Sequence, residues 1–181
     1  MQSTEKEIIA FWFEEIDQSY WFKKDKNFDE LVYDRFIEIY KRVFSGNTVQ
    51  WRTTPEGKLA EIIVLDQFSR NMFRDRPEAF AADALALQLA QEAVQSGDDQ
   101  KLALQKKSFI YMPYMHSEDL KIHNEAVKLF SQKGLERALD FEIRHKKIIE
   151  QFGRYPHRNK ILGRISTAEE IEFLTKDGSG F

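Results

Sequence analysis

The sequence predicts an all-α protein, a single domain over residues 1–181 made of about seven to nine antiparallel helices. Three observations lead to this class. Apolar residues recur at helical spacing through most of the chain, and capping residues and glycines mark the ends of those segments. No alternating apolar run bounded by turn residues appears, so no strand is predicted. The connections are mostly short, which favours antiparallel helix pairs.

The first half of the chain predicts four helices, each with its own boundary signal. A capping-box pattern opens the first, a glycine ends the second, a Thr-Pro pair opens the third, and Ala, Leu, Glu and Gln dominate the fourth. The predicted segments run from Thr4 to about Glu15, from Phe28 to Val43 with Gly46 as the stop, from Thr54-Pro55 through "EGKLAEIIVLDQF", and from Arg76 to Ser96 with Gly97 as the stop.

The second half predicts four more helices by the same signals. Proline ends the first of them, a Ser-Glu-Asp sequence opens the second, glycine ends the third, and another capping-box pattern opens the last. The predicted segments run through "DDQKLALQKKSFIYM" to Pro113, from Ser117 to Gly134, through "LERALDFEIRHKKIIEQF" to Gly153, and from Thr167 with Glu170 through Leu174.

Composition excludes several classes of protein. Hydrophobic residues make up 42% of the chain and charged residues 31%, which is typical of a soluble globular domain. The net charge of −3 gives no general attraction to nucleic acid or an anionic membrane, and no partner of either kind is expected. The chain has no cysteine, no apolar stretch of membrane-spanning length and a start unlike a signal peptide, so a cytoplasmic location is expected.

Polar residues interrupt the apolar stripe of the third predicted helix. After Leu59, Ile62 and Ile63, the same face continues with Asp66 and Arg70. On a solvent face this pair would contribute only about 0.3–0.5 kcal/mol. On a core face, removing one partner of a buried pair costs roughly 3–5 kcal/mol. The two residues are therefore predicted to form either a structural network or part of a site.

The long helix before Gly153 shows the same irregularity, because His145 falls on the stripe that includes Phe141, Ile148 and Phe152. The loop that follows, "GRYPHRNKILGR", is long for a compact domain, and such loops are often functional. Its donors suit a carboxylate or phosphate, although its arginines could equally be solvated or bound to carbonyl groups. These donors are Arg154, His157, Arg158, Asn159 and Arg164.

A third polar group lies in "MPYMHSEDL". His116 stands just ahead of a predicted helix N-terminus, where backbone N–H groups attract anions. Glu118 and Asp119 already complement the helix dipole there, which favours a plain capping arrangement. His123 has no further support and is predicted to be a surface histidine.

Several of these segments, taken in order, resemble one known family. The sequence is similar to the bacterial domain-of-unknown-function family nine-two-four in "LDQFSRNMFR", "FIYMPYMHSEDL", the histidine before "IIEQFGRYPHRN", "LGR" and "STAEEIEFL". The resemblance covers nearly the whole chain and implies an all-helical fold similar to tetratricopeptide-repeat arrays. It implies no settled activity, and it leaves the cofactor unknown. His123 departs from the family pattern, which more usually has glutamine there.

The pattern of the family transfers to the three polar groups described above. The matching positions are Asp66, Gln67, Phe68, Arg70, Asn71, Phe73 and Arg74, then Pro113, His116, Ser117, Glu118 and Asp119, then His145, Phe152, Gly153, Arg154, Pro156, His157, Arg158, Asn159, Gly163 and Arg164.

Two classes of function remain open. The first is a pocket for a small anionic molecule, in which Arg70, Arg154 and Arg158 hold the anion, His145, His157 or His116 transfers a proton, and Asp66 orients it. Gln67, Asn71, Arg74, Asn159 and Arg164 complete the predicted ligand-binding set. The chemistry would be that of a hydrolase or transferase, although no nucleophile motif is present.

The second class is a helical scaffold that binds a peptide or protein partner. Two further alternatives have less support. A metal site from Asp66, His116, Glu118, His145 and His157 would have suitable ligand types without a local metal spacing. RNA binding by the basic loop would require a recognised module, and none is present. No metal is therefore predicted.

Overall fold

The computed structural model describes residues 4–180, in which every regular element is a helix and no strand occurs. The all-α prediction is therefore confirmed, and no helix in this part of the chain is long and apolar enough to span a bilayer. The α-helices of residues 4–180 are α1 (Glu5–Ala10), α2 (Lys26–Phe44), α3 (Pro55–Ile62), α4 (Ser69–Met72), α5 (Asp83–Gln95), α6 (Leu104–Met115), α7 (Leu120–Phe130), α8 (Glu136–Phe152) and α9 (Ala168–Leu174).

Shorter helical turns join these elements. Two are π-helical, Phe11–Glu15 and Ile63–Phe68, and five are 3₁₀ turns, Gln18–Tyr20, Val49–Thr53, Pro77–Phe80, Asp99–Lys101 and Pro156–Arg158. The contacts divide the chain into two compact units. Unit 1 comprises the described residues up to Arg74 together with Glu78–Pro113, and unit 2 comprises Asp75–Pro77 and the described residues from Tyr114 onward. That residues 1–181 form one domain stays a prediction.

Unit 1 has a core of aromatic side chains. Helix α1 packs on α3, α2 on α4 and the second π segment, and α3 on α5. Phe11, Phe36 and Phe68 meet at the centre, with ring centroids 4.7 Å apart for the first pair and 4.8 Å for Phe36 and Phe68. Edge-to-face and offset ring contacts of this kind are favourable beyond the area they bury. The abundance of phenylalanine in the sequence thus has a packing explanation.

The π segment Ile63–Phe68 joins α3 to α4 in one continuous helical run. All six of its residues are buried, including Asp66, which has no exposed surface. A π turn inserts one extra residue into a helix and changes which side chains face the core. The prediction that Asp66 lies on a buried face is therefore confirmed.

Unit 2 is built on the pairing of α7 with α8, and α9 packs on the turn Pro156–Arg158. Ile148, Ile149 and Tyr155 form its buried cluster, against which Phe152 and Phe173 pack. Helix α8 ends at Gly153, which adopts the left-handed conformation with φ 67° that glycine accepts without steric cost. This turn reverses the chain direction and places the loop against the end of α8.

The predicted caps are largely confirmed. The Thr4 and Thr54 hydroxyls accept hydrogen bonds from the amides of Glu7 and Gly57, and Thr167 with Glu170 forms a complete reciprocal capping box. At Thr4 only the half in which the hydroxyl accepts from the Glu7 amide is present, and the Glu7 carboxylate accepts a hydrogen bond from Arg35.

Four predicted helix boundaries are wrong. The helix predicted to start at Asp98 begins at Leu104, and Asp99–Lys101 forms a separate 3₁₀ turn. Helix α5 begins at Asp83 rather than Arg76, because Pro77–Phe80 forms a separate 3₁₀ turn. Pro113 lies inside α6 rather than after it, since the flanking residues are buried and tertiary packing outweighs the loss of one backbone donor. Helix α7 is capped by Asp119, not by Ser117.

Candidate functional site

Basic side chains gather around the ring of Tyr155 in unit 2. The Arg158 guanidinium carbon lies 4.6 Å from the ring centroid, and the rings of His157 and His145 lie 5.5 and 5.8 Å from it. The His116 ring lies 6.5 Å from that of His145. We call these five residues the Tyr155 cluster. His116 and His157 are only partly buried, so the cluster reaches the surface of the unit.

Tyr155 is fully buried and is held at both ends. Its amide donates to Glu118 Oε1 at 2.7 Å, and its carbonyl accepts from Arg164 at 3.1 Å. Its hydroxyl donates to the Met115 carbonyl at 2.5 Å. The left-handed turn at Gly153 directs the chain into this position. The ring is thus a fixed surface on which the basic groups are arranged.

His145 lies on α8 with only 5% of its surface exposed. Its Nδ1 is 2.7 Å from the Phe141 carbonyl, which can only accept, so Nδ1 carries the proton and the lone pair lies on Nε2. The pKa of His145 is lowered to about 3, mainly by burial and in addition by the nearby histidines His116, His123 and His157. The imidazole is therefore neutral at pH 7.

Arg158 is 6% exposed, the most buried of the predicted ligand-binding arginines. Its NH2 group donates to the His116 carbonyl at 3.0 Å, and its plane lies over Tyr155. A guanidinium over an aromatic face is attracted by the ring quadrupole, which offsets part of its desolvation.

Arg154 forms a paired contact with a buried acid. Its Nε and NH2 donate to the two carboxylate oxygens of Glu170 at 2.7 and 2.8 Å, and NH2 also donates to the Ile165 carbonyl. The hydrogen bond from Arg154 lowers the pKa of Glu170 to about 2. Asn159 donates to the same carboxylate at 3.2 Å. This contact ties the loop to the start of α9.

Arg164 makes a second bidentate contact, in which its NH1 and NH2 groups donate to the Glu118 carboxylate at 2.7 and 2.9 Å. Its Nε donates to Asn159 Oδ1 at 2.9 Å. Burial raises the pKa of Glu118, but the bonds from Arg164 and the Tyr155 amide bring it below its ordinary value. The predicted capping arrangement at the N-terminus of α7 is provided by Asp119, which accepts from the Lys121 amide, whereas the Glu118 carboxylate bonds the loop.

The predicted residues of the first segment lie in unit 1. Arg70 NH1 lies 3.1 Å from Asp66 Oδ1 and 3.0 Å from Asp83 Oδ1, and it donates to the Asp66 carbonyl at 2.7 Å. Gln67 Nε2 donates to Asp66 Oδ2 at 2.5 Å. The predicted pairing of Asp66 with Arg70 is confirmed, and Asp83 is a partner that sequence spacing did not indicate.

Asn71 and Arg74 meet a different acid of unit 1. Both bond Asp29 of α2, Asn71 at 2.8 Å and Arg74 through two donors at 2.5 and 2.7 Å. The predicted site residues therefore fall into two groups, those of the first segment in unit 1 and those of the other two segments in unit 2. Their convergence on one pocket stays a prediction.

The prediction of a surface position for His123 is wrong. It has no exposed surface, its Nδ1 lies 2.7 Å from Glu142 Oε1, and its Nε2 lies 2.8 Å from the Ser117 carbonyl. The sequence contained a signal for this, because His123, Ala126 and Phe130 are spaced as one buried face of α7. Glu142 had no comparable signal, since it is 19 positions from His123.

Residues 4–180 contain no group of three or more histidine, aspartate or glutamate side chains arranged to hold a metal ion. The two serines near the polar segments are also engaged. The Ser69 hydroxyl donates to the Leu65 carbonyl at 2.6 Å, and the Ser117 hydroxyl accepts from the Asp119 amide.

The fold and these networks define an all-helical protein with buried ion pairs in each of its two units. Residues 8–178 match the family described as bacterial protein of unknown function (DUF924), and the chain belongs to that family. A solved structure of a protein of unknown function from Agrobacterium tumefaciens is similar, with a TM-score of 0.89 and 36% identity over 94% of this chain and 96% of that one. No curated protein matches the sequence.

Proposed function

We propose that the protein binds a small anion bearing a phosphate or carboxylate group at the Tyr155 cluster of unit 2. The observation that carries this proposal is the grouping of Arg158, His145 and His157 about one buried ring, with His116 beside His145. Arg158 is assigned the main contact with the anion because its guanidinium lies over the Tyr155 ring, 4.6 Å from the ring centroid.

The electrostatics of the cluster favour an anion. Three histidines and an arginine in one place repel each other when charged. The charges of His116 and His157 lower the pKa of His145 in addition to its burial. A bound anion would offset the repulsion and favour the protonated form of the partly buried histidines. Anion binding is therefore expected to be accompanied by proton uptake from solvent.

The same geometry suits acid–base chemistry. His145 has its proton fixed on Nδ1 by the Phe141 carbonyl, so that Nε2 is the basic atom. His116 and His157 are less buried and are the candidates for exchanging a proton with solvent. A hydrolase or transferase reaction on the bound anion would use His157 or His116 as its acid or base, whereas His145, which is neutral at pH 7, could only accept a proton. The role of Asp66 as an orienting group stays a prediction.

Ligand-dependent stability tests the proposal directly. Binding to the native state alone adds about 2.7 kcal/mol at a hundred times the Kd, which at this size corresponds to roughly 5–10 °C in Tm. We expect such a shift from inorganic phosphate, a phosphate ester or a small dicarboxylate, and its loss in Arg158→Gln.

The matched control is Arg144→Gln, which removes the same charge from an exposed position of unit 2, where the side chain is 61% exposed and pairs with Asp140. It should retain the full shift. The proposal fails if none of these anions raises the Tm, or if the two variants lose the shift equally.

A second candidate is the helical scaffold, with a tetratricopeptide-like stack that binds a peptide or protein. The observation that favours it is apolar exposure beside α9, where Ile165 is 90% exposed and Ile171 is 57% exposed. Replacing both with serine should leave the anion-dependent Tm unchanged. It should abolish complex formation with a partner if this surface is the one that binds.

A further inference from the structure

A chain of buried hydrogen bonds leads from α8 to the hydroxyl group of Tyr155. Glu142 Oε1 lies 2.7 Å from His123 Nδ1, and His123 Nε2 lies 3.2 Å from Tyr155 Oη. The Tyr155 hydroxyl in turn donates to the Met115 carbonyl at 2.5 Å. Glu142, His123 and Tyr155 have no exposed surface. His116 and His157, the cluster residues that reach the surface, are not part of this series of hydrogen bonds.

The positions of the protons follow from the acceptors. The Met115 carbonyl can only accept, so the Tyr155 hydroxyl proton lies on that bond. His123 Nε2 therefore faces two acceptors, Tyr155 Oη and the Ser117 carbonyl, and must carry a proton. One further proton is shared between His123 Nδ1 and Glu142 Oε1.

The state of Glu142 agrees with this assignment. Burial raises the pKa of Glu142 against the lowering effect of His123, which favours the carboxylic acid. Its second oxygen, Oε2, is buried and has no hydrogen-bond partner among the residues that the structure describes. A neutral acid tolerates an unpaired oxygen at lower cost than a carboxylate does.

We propose that Glu142 and His123 are positioning residues of the Tyr155 cluster, which lock the Tyr155 hydroxyl and so hold the ring beneath the Arg158 guanidinium. This inference rests on the anion site proposed above and extends it to two residues that do not contact the ligand. His123 accomplishes this by donating to Tyr155, while Glu142 holds the imidazole in the orientation that makes the donation possible.

The ring cannot be held by its backbone contacts alone. Glu118 and Arg164 hold the amide and carbonyl of Tyr155. Ile148 and Ile149 share the buried cluster in which its ring lies. The two hydrogen bonds at the hydroxyl fix the far end of the ring and so select one side-chain orientation. Since the Arg158 guanidinium carbon lies 4.6 Å from the ring centroid, a reoriented ring would displace the group assigned to the anion.

Two amide variants of His123 separate positioning from stability. In His123→Gln the amide nitrogen can occupy the place of Nε2 and still donate to Tyr155, whereas the contact with Glu142 is lost. In His123→Asn the shorter amide reaches the place of Nδ1 and cannot donate to Tyr155. His123→Gln removes the contact with Glu142, whereas His123→Asn removes the contacts of Nε2 with Tyr155 and with the Ser117 carbonyl. The stability of each variant is therefore measured beside its binding.

The experiment measures binding of inorganic phosphate by calorimetry, together with the NMR resonance of the Arg158 Nε–H group, which the ring current of Tyr155 shifts. We expect His123→Gln to keep the phosphate Kd within about twofold and to keep the shifted resonance. We expect His123→Asn to weaken binding about tenfold, which is 1.4 kcal/mol, and to lose the resonance shift. Thermal unfolding of both variants monitors folding.

If phosphate binding weakens in both variants in proportion to their loss of Tm, the inference is overturned. Glu142 and His123 then have a structural role only. An Arg158 resonance in His123→Asn that matches the wild type would overturn the inference as well. If wild-type protein binds no phosphate, the anion site is refuted for that probe. The Arg158 resonance then still decides whether His123 positions Tyr155, because it requires no ligand.

Discussion

His145→Asn should change how the stability of the protein depends on pH. The pKa of His145 is lowered from 6.5 to about 3 in the folded state, principally by burial. Between these values the unfolded chain binds a proton that the folded protein does not, so the free energy of unfolding rises with pH. The contribution is fully present above the unfolded pKa and is lost as the pH falls toward 3.

For one such group, the free energy of unfolding changes by about 1.4 kcal/mol per pH unit. Acidification from about pH 6.5 to about pH 5 should therefore cost wild-type protein roughly 2 kcal/mol through His145 alone. Asparagine is the suitable replacement because its amide nitrogen can occupy the place of Nδ1 and keep the bond to the Phe141 carbonyl. The variant should lose this part of the slope while the other titrating groups contribute as before.

Urea unfolding of both proteins at several pH values between about 5 and 8 measures the difference. The two curves of stability against pH should converge as the pH falls, since asparagine does not titrate. Parallel curves over this range would refute the assignment of a neutral, buried His145. Replacement of His157, which is only partly buried, serves as the control. It should leave most of the pH dependence of the wild-type free energy of unfolding in place.

Three other changes test the remaining networks. Asp66→Ala should cost about 3 kcal/mol in denaturant unfolding, because it removes the fully buried carboxylate that bonds Gln67 and pairs with Arg70, which keeps Asp83. A loss below about 1 kcal/mol would contradict a structural role. Glu170→Gln should lower stability at neutral pH and remove acid sensitivity between about pH 4.5 and 2, the range set by the lowered pKa of Glu170; an unchanged acid transition would argue against the pair with Arg154. Gly57→Ala should cost at least about 1–3 kcal/mol, because its Cβ would lie 1.8 Å from a backbone carbonyl oxygen, and a Tm equal to that of the wild type would contradict this contact.

The helices of this protein were largely predictable because their signals are local. Thr54, Thr167 and Gly153 act through bonds within one turn of the chain, and each does so in the structure as predicted. The errors arose where distant packing decides. Pro113 stays inside α6 because the buried residues around it hold the helix. Pro77 begins a separate 3₁₀ turn, so α5 starts later than its composition suggested.

The polar residues were predictable in identity but not in partnership. Asp66 and Arg70 are four positions apart on one face, so their pairing could be inferred. Arg154 with Glu170 and Arg164 with Glu118 join residues that are 16 and 46 positions apart, and no local pattern links them. The sequence presented the loop after Gly153 as a set of donors for a ligand. In the structure, carboxylate contacts with Glu170 and Glu118 hold this loop in place.

The amino-acid sequence by itself determined the helical class, most helix ends and the residue types available for chemistry, because these depend on spacing and local backbone preference. Only the tertiary structure decided that His123 is buried against Glu142. It also decided that basic side chains lie around Tyr155, with Arg158 over its ring. Those arrangements depend on which helix faces meet. A side chain acquires its charge state and partners from groups that are distant in sequence and close in space.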